Sequence, residues 1–222
     1  MKRRRALLVL ITSSVAGALL FLAIVDSTQE LHRYETTPSV PAMINTEAIR
    51  ATLTQLEVKG RAPKTGYSRD QFGGDWAKVQ GCSTRDIILY RDLTSVVLDD
   101  ECKVTSGVLK DPYTGETINF SNHAASEVQI DHVVALSDAW QKGAQQLSAE
   151  ERKQLANDPL ELLAVEGAAN QAKGDGDAAT WLPKNKAFRC EYIERQVDVK
   201  LKYALWVTEA EKQAMERVLA TC

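Results

Sequence analysis

Asp131 and His132 stand side by side inside an apolar run, Val-Gln-Ile-Asp-His-Val-Val over residues 128–134, and those two residue types together can do chemistry. A carboxylate can hold a divalent cation. A neutral imidazole can take a proton from water, with an ordinary pKa of about 6.5 that keeps it close to physiological pH. Hydrolysing a phosphodiester asks for an aligned water, a base to deprotonate it and a cation to neutralise charge on the phosphate and the leaving oxygen. Asn170, further along the chain, can return as a second, neutral oxygen ligand from a helix packed on the strand. One carboxylate, one amide oxygen and several waters suit Mg2+, a hard cation that keeps much of its hydration, and leave His132 free as the base. Taken alone, an Asp-His pair more often caps or hydrogen-bonds nearby backbone, so its setting has to carry the reading. Neighbours in a regular strand point to opposite faces, which requires the pair to sit at a frayed strand end to serve one site.

The elements that must position these residues can be read from periodicity and punctuation. Residues 127–134 form a strand, and 136–146 and 148–156 form helices, the second opening on Ser148 with Glu151 as its capping-box partner and closing before Pro159. Residues 160–165 are a second apolar strand, and 167–173 turn into a short helix that carries Asn170. Upstream, the spacing of Ile49, Leu53 and Leu56 predicts a helix from Thr46 with a stop at Gly60, and a second helix runs over residues 83–93. Residues 102–120, rich in Val, Thr and Ile around Asp-Pro-Tyr-Thr-Gly, predict two strands joined by a turn. Downstream, Pro183 opens a long helix to about residue 205, and Thr208 with Glu211 starts a final one to residue 219.

The segments at residues 128–136, 157–163 and 169–174 together resemble the strand, loop, strand and helix of HNH nucleases. The resemblance is closest to an exported actinobacterial branch related to the C-terminal domain of GmrSD restriction enzymes, and it covers residues 82–206. It implies an α+β fold with a ββα-metal (HNH) centre embedded in a mainly helical domain with a small β-hairpin. It implies that Asp131 and Asn170 ligate one divalent metal, that His132 activates the attacking water, and that Asn157 matches the middle, loop-organising asparagine. Asn170 stands where many members carry a metal-binding His, which points to Mg2+ or Mn2+ in place of Zn2+. The activity implied is metal-dependent endonuclease cleavage of DNA, with RNA as an alternative substrate, outside the cytoplasm. A catalytically silent cell-surface binding module with the same fold is the rival reading, and no obligate protein partner is implied.

Lys173 invites a role at a phosphate, although a solvated lysine is the ordinary reading. Lys184, Arg195 and Lys202 fall on one face of the long helix expected from Pro183, where they could track a nucleic-acid backbone or simply form its wet side. Asp175 and Asp177 lack calcium-loop spacing and read as structural, His32 and His123 receive no role, and Trp140, Trp181 and Trp206 read as core or surface anchors.

Composition limits what else the chain can be. Its 222 residues suit one sizeable domain, and 44% hydrophobic with 26% charged residues is ordinary globular composition. With 27 Lys and Arg against 30 Asp and Glu, this is not a protein that coats nucleic acid, so such a role must rest on a local groove or a metal. Residues 1–25 place Lys2, Arg3, Arg4 and Arg5 before an apolar run from 6 to 25, the pattern of an export signal, either a cleaved signal peptide or an N-terminal membrane anchor. Residues 26–45 read as a linker and 46–222 as the nuclease-type domain, secreted or held at the cell surface. Cys82, Cys102, Cys190 and Cys222 fit an oxidising compartment and two disulfides. Three connectivities are open to them, of which Cys82–Cys102 with Cys190–Cys222 closes the two shortest separate loops.

Overall fold

The computed structural model describes residues 45–222, so the expected leader, the linker up to residue 44, the membrane contact through residues 6–25 and His32 lie outside it. Helix α1 (Thr46–Leu53) is capped by the Asn45 side chain, which accepts from the Ala48 N–H, and it buries Ile49 and Leu53. It ends sooner than Gly60 suggested, and Leu56 is buried from the following loop. Two short paired segments, β1 (Lys78–Val79) and β2 (Cys82–Ser83), are joined by Gln80 and Gly81, both with positive φ as a tight hairpin turn of this kind demands.

Helix α2 (Thr84–Asp92) is capped by Ser83 and runs straight into β3 (Leu93–Leu98). Strands β4 (Val104–Lys110) and β5 (Thr117–Ser121) form the expected hairpin, closed by Asp111, whose carboxylate accepts from the Thr114 N–H at 2.7 Å. The sequence reading missed β3, which extends the hairpin to an antiparallel sheet of order β3-β4-β5. Thr94, Val96 and Val97, stiff at χ1, favour the extended backbone there.

Strands β6 (Val128–His132) and β7 (Leu162–Glu166) pair antiparallel, with Asp131 opposite Leu163 and His132 opposite Leu162. Between them lie α3 (Leu136–Gln141) and α4 (Ala149–Asn157), the latter with the Ser148/Glu151 capping box in place. Helix α3 stops short of residue 146 because Gly143 turns the chain at φ 125°, after which a single 3-10 turn covers Ala144–Gln146. Helix α5 (Gly167–Lys173) follows β7 directly. The next long helix, α6 (Arg189–Lys202), does not begin at Pro183: the Asn185 N–H donates to the Tyr113 carbonyl and its side chain to the Pro112 carbonyl, which holds residues 183–185 out of the helix. Helix α7 (Glu209–Leu219) carries the expected Thr208/Glu211 capping box. The fold is α+β.

The β6–β7 ribbon is apolar on both sides and separates two packed layers. Val128, Ile130, Leu162 and Ala164 pack with Ile88 and Leu89 of α2 and Phe120 of β5, while Val133, Leu163 and Val165 join the larger core built on α1, α3, α4, α6 and α7. Strand alternation therefore puts Gln129 and Asp131 on the side of the larger, helical core. Within that layer Lys142 is fully buried, its ammonium 2.8 Å from Asp138, 2.7 Å from Asp177 and 2.6 Å from Glu211. Lys200 and Arg61 complete the group, Lys200 at 3.0 Å from Glu211 and Arg61 at 2.7 Å from Asp177.

The disulfides are Cys82–Cys102 and Cys190–Cys222, the shortest-loop pairing, with separations of 20 and 32 residues. The first staples the β1–β2 hairpin to the start of β4, and the second ties α6 to the chain beyond α7. Mass analysis without reductant is expected to find no free thiol, and reduction to lower the melting temperature, each bond being worth about 2–5 kcal/mol in a small exported domain. Free thiols in the exported protein, or melting unchanged by reductant, would contradict this.

Candidate functional site

Asp131 and His132 are the last two residues of β6, and both keep their ladder partners, so the strand end is not frayed as the sequence reading required. Both nevertheless line the same cleft of about 390 Å³, together with Gln129, Ser137, Arg69 and Asn170. The strand stops at His132, which frees the imidazole to turn toward α4 while Asp131 stays under α5.

The two residues are held very differently. The Tyr113 hydroxyl donates to Asp131 Oδ2, and Lys173 Nζ donates to Asp131 Oδ1 at 2.9 Å and to the His132 carbonyl at 2.6 Å. Burial pushes the Asp131 carboxyl above the usual carboxylate range, and the Lys173 charge and the donated hydrogen bonds offset that in part. The ring Nε2 of His132 lies 2.9 Å from the Ala156 carbonyl, which can only accept, so Nε2 carries the hydrogen and Nδ1 keeps a free lone pair. Trp76 stacks flat on the imidazole, centroids 5.6 Å apart and planes 7° from parallel. Burial lowers the His132 pKa to about 3, against the opposing pull of the Ala156 carbonyl and with help from Arg69 and Lys173, so the ring is neutral at neutral pH but a weaker base than the ordinary imidazole the sequence led us to expect.

Asn170 is reached through α5, whose first residue must be glycine: a Cβ on Gly167 would lie 2.0 Å from the Ser126 carbonyl oxygen. From that docked helix the Asn170 Nδ2 donates to Gln129 Oε1 at 2.9 Å, which leaves its amide oxygen as the available acceptor. Asn157 ends α4 and ties two segments together, accepting from the Ala77 N–H at 2.8 Å and donating to the Lys153 carbonyl at 2.9 Å. It thus anchors the residue next to Trp76. A second, smaller cavity is lined by Arg69, Asp75, Trp76, His132 and Asn157.

Among the described residues, no group of three or more His, Cys, Asp or Glu gathers to hold a metal. The Asp131 carboxylate and the Asn170 amide are among the oxygen groups lining the cleft, beside those of Gln129, Ser137, Gln171 and Asp175, and oxygen donors of this kind fit a hard, largely hydrated cation better than zinc. Both Asp131 oxygens already accept a hydrogen bond, Oδ2 from Tyr113 and Oδ1 from Lys173, so a cation would have to use their remaining lone pairs.

The remaining expected residues lie elsewhere. Lys173 is neither solvated nor free for a phosphate, since its side chain is fully buried on Asp131. Lys184 is exposed but precedes α6, so it does not share one helical face with Arg195 and Lys202. Arg195 pairs with Glu191 at 3.3 Å and Lys202 with Asp158 at 2.6 Å, and none of the three lines the cleft. Asp177 serves the buried charge group and Asp175 pairs with Lys64 at 2.9 Å, the structural roles expected. His123 is exposed, and Trp140 and Trp206 are buried. Sequence reasoning missed Tyr113, Trp76, Gln129 and Arg69. Only Gln129 carried a signal, two residues before Asp131 and therefore on its face of the strand.

The family model for the C-terminal domain of GmrSD restriction endonucleases matches residues 84–218. A protein of Arthroderma benhamiae described as an uncharacterized secreted protein is 39% identical over 205 residues, covering 91% of this chain and 98% of its own length. No solved structure matches.

Proposed function

Because the chain belongs to the family of GmrSD restriction endonuclease C-terminal domains, we propose that it is an HNH-type, metal-dependent endonuclease that hydrolyses phosphodiester bonds of DNA, with RNA as an alternative substrate. The observation that carries this is the gathering of Asp131, His132 and Asn170 on one cleft, with the His132 ring neutral and its tautomer set by the Ala156 carbonyl, which leaves Nδ1 as the unprotonated nitrogen. In this reading β6, β7 and α5 are the ββα unit, and Asp131 and Asn170 hold Mg2+ or Mn2+. When bound, the cation supplies positive charge at the phosphate and at the leaving oxygen. His132 Nδ1 takes the proton of the attacking water, and the Ala156 carbonyl then stabilises the imidazolium through Nε2–H. Trp76 holds the plane of the ring, and Lys173 and Tyr113 keep the Asp131 carboxylate aimed. The two disulfides and the secreted relative support action outside the cytoplasm.

The experiment is incubation of the purified protein with supercoiled and linear DNA. Cleavage is expected with Mg2+ or Mn2+, is expected to stop on adding EDTA, and is expected to return when Mg2+ is restored, since one carboxylate and one amide make a modest site. Cleavage undiminished in excess EDTA would refute the metal mechanism. No cleavage under any metal would favour the silent binding module.

A further inference from the structure

We propose that Arg69 is the phosphate grip of this cleft, binding the sugar-phosphate backbone of a nucleic-acid strand that crosses the His132 imidazole; the proposal rests on the nuclease reading and adds to it where the substrate lies. Arg69 lines both cavities that flank His132, one on the Asp131 and Asn170 side and one on the Trp76 side. Its side chain is exposed, and among the described residues it makes no salt bridge or hydrogen bond, whereas Lys64 in the same cleft is paired with Asp175. An exposed guanidinium with no carboxylate partner, beside a base and two metal-type oxygens, suits an anionic, planar-forked ligand such as a phosphodiester. In a chain of net charge −3 such a local cation is what a polyanion needs in order to approach.

The segment that presents Arg69 is fixed, although it precedes the family match, which begins at residue 84. Phe72 is buried against Tyr67 and Trp140, with ring centroids 6.3 Å apart in each pair. Arg152 Nε donates to the Gln71 carbonyl at 2.8 Å, Gln145 to the Pro63 carbonyl at 2.9 Å, and the Ala77 N–H to Asn157. These anchors hold residues 63–77 as one wall of the cleft and leave the Arg69 side chain unspent. The same wall carries Trp76 onto His132, so grip and base are positioned by one piece of chain.

The test measures binding and cleavage separately. A labelled oligonucleotide is titrated in EDTA against His132→Ala protein, with and without Arg69→Ala, across a range of salt. Removing Arg69 is expected to weaken binding by about tenfold or more and to lower the salt slope of log affinity by about one, the signature of one lost phosphate contact. Arg69→Lys should recover part of the affinity and the whole of the slope, because it restores charge without the fork. Lys184→Ala, which removes an exposed cation away from the cleft, should change neither. Thermal melting of each variant should match its parent, since among the described residues the Arg69 side chain has no hydrogen-bond or ion-pair partner to lose. In the active protein, Arg69→Ala should raise KM at each salt concentration. Equal affinity and slope with and without Arg69, an equal loss on Lys184→Ala, or no oligonucleotide binding by the Arg69-bearing protein would each overturn the proposal. Absence of metal-dependent cleavage by the parent refutes the nuclease reading instead, and the binding arm still decides the role of Arg69.

Discussion

His132→Ala is expected to cut DNA cleavage by about 10²–10⁴-fold, the usual loss when a positioned base is removed, while leaving Mg2+ affinity close to that of the parent. The contrast with the ligand positions is the informative part. Asn170→Ala should weaken Mg2+ binding and turnover together, because it removes an oxygen that positions the cation. Asp131→Ala is a poorer test than the sequence suggested. Its carboxylate also satisfies the buried Lys173 ammonium and the Tyr113 hydroxyl, so truncation leaves a buried charge without a partner and should lower stability as well as activity. Asp131→Asn keeps the shape and separates the two effects better. Isothermal titration of Mg2+ beside single-turnover cleavage reads both quantities. Cleavage by His132→Ala within a few-fold of the parent would remove His132 from the mechanism, and ligand variants that bind Mg2+ like the parent would remove the metal from Asp131 and Asn170.

The largest expected loss of stability belongs to Lys142→Met. The Lys142 ammonium is fully buried among Asp138, Asp177 and Glu211, and together with Arg61 and Lys200 it balances three cations against three carboxylates. Removing one partner of a buried ionic group leaves uncompensated charge and typically costs about 3–5 kcal/mol, a large part of a domain's whole stability. The penalty should depend on pH. In the folded protein burial opposes ionisation of Asp177, but the Lys142 hydrogen bond and charge outweigh it, with Arg61 adding, and hold its pKa at about 2. A carboxyl held below its unfolded value contributes stability above the unfolded pKa, and that contribution is lost as pH falls through about 2. With Lys142 gone Asp177 should titrate at higher pH, so the gap between variant and parent should be widest near neutrality and narrow in acid. Denaturant unfolding at several pH values measures this. A variant as stable as the parent at neutral pH, or a gap that widens in acid, would show that the group is not coupled as its geometry indicates.

Much of the fold was legible in the sequence because its signals are local. Ser148 with Glu151 and Thr208 with Glu211 make capping boxes whose partners lie within one helical turn, and a side chain that near its target bonds it in almost any tertiary setting. The apolar-rich runs around Asp131 and after Pro159 become the paired strands β6 and β7, because runs carrying apolar residues at both alternating positions must be buried on both faces. The cysteines paired as loop length suggested. The placement of Asp131, His132 and Asn170 on one cleft followed from those elements.

What only the tertiary structure decided is which polar side chains are spent on one another. Lys173 reads locally as a solvated lysine, yet it reaches a carboxylate 42 residues away and is buried there. Lys142 meets Glu211 across 69 residues, and Tyr113 meets Asp131 from inside what reads only as a turn. The helix expected from Pro183 starts at Arg189 because Asn185 bonds the backbone of that same turn from across the fold. Trp76 stacks on His132, and Arg69 borders it, through anchors on Asn157 and Arg152 that carry no periodicity or spacing. Burial sets the cost of a charge or an unpaired donor, and burial is a property of the assembled layers. Local chain chemistry can therefore specify helices, strands and caps, while the partners that leave His132 neutral, Asp131 held and Arg69 exposed on the cleft are chosen only when those elements pack.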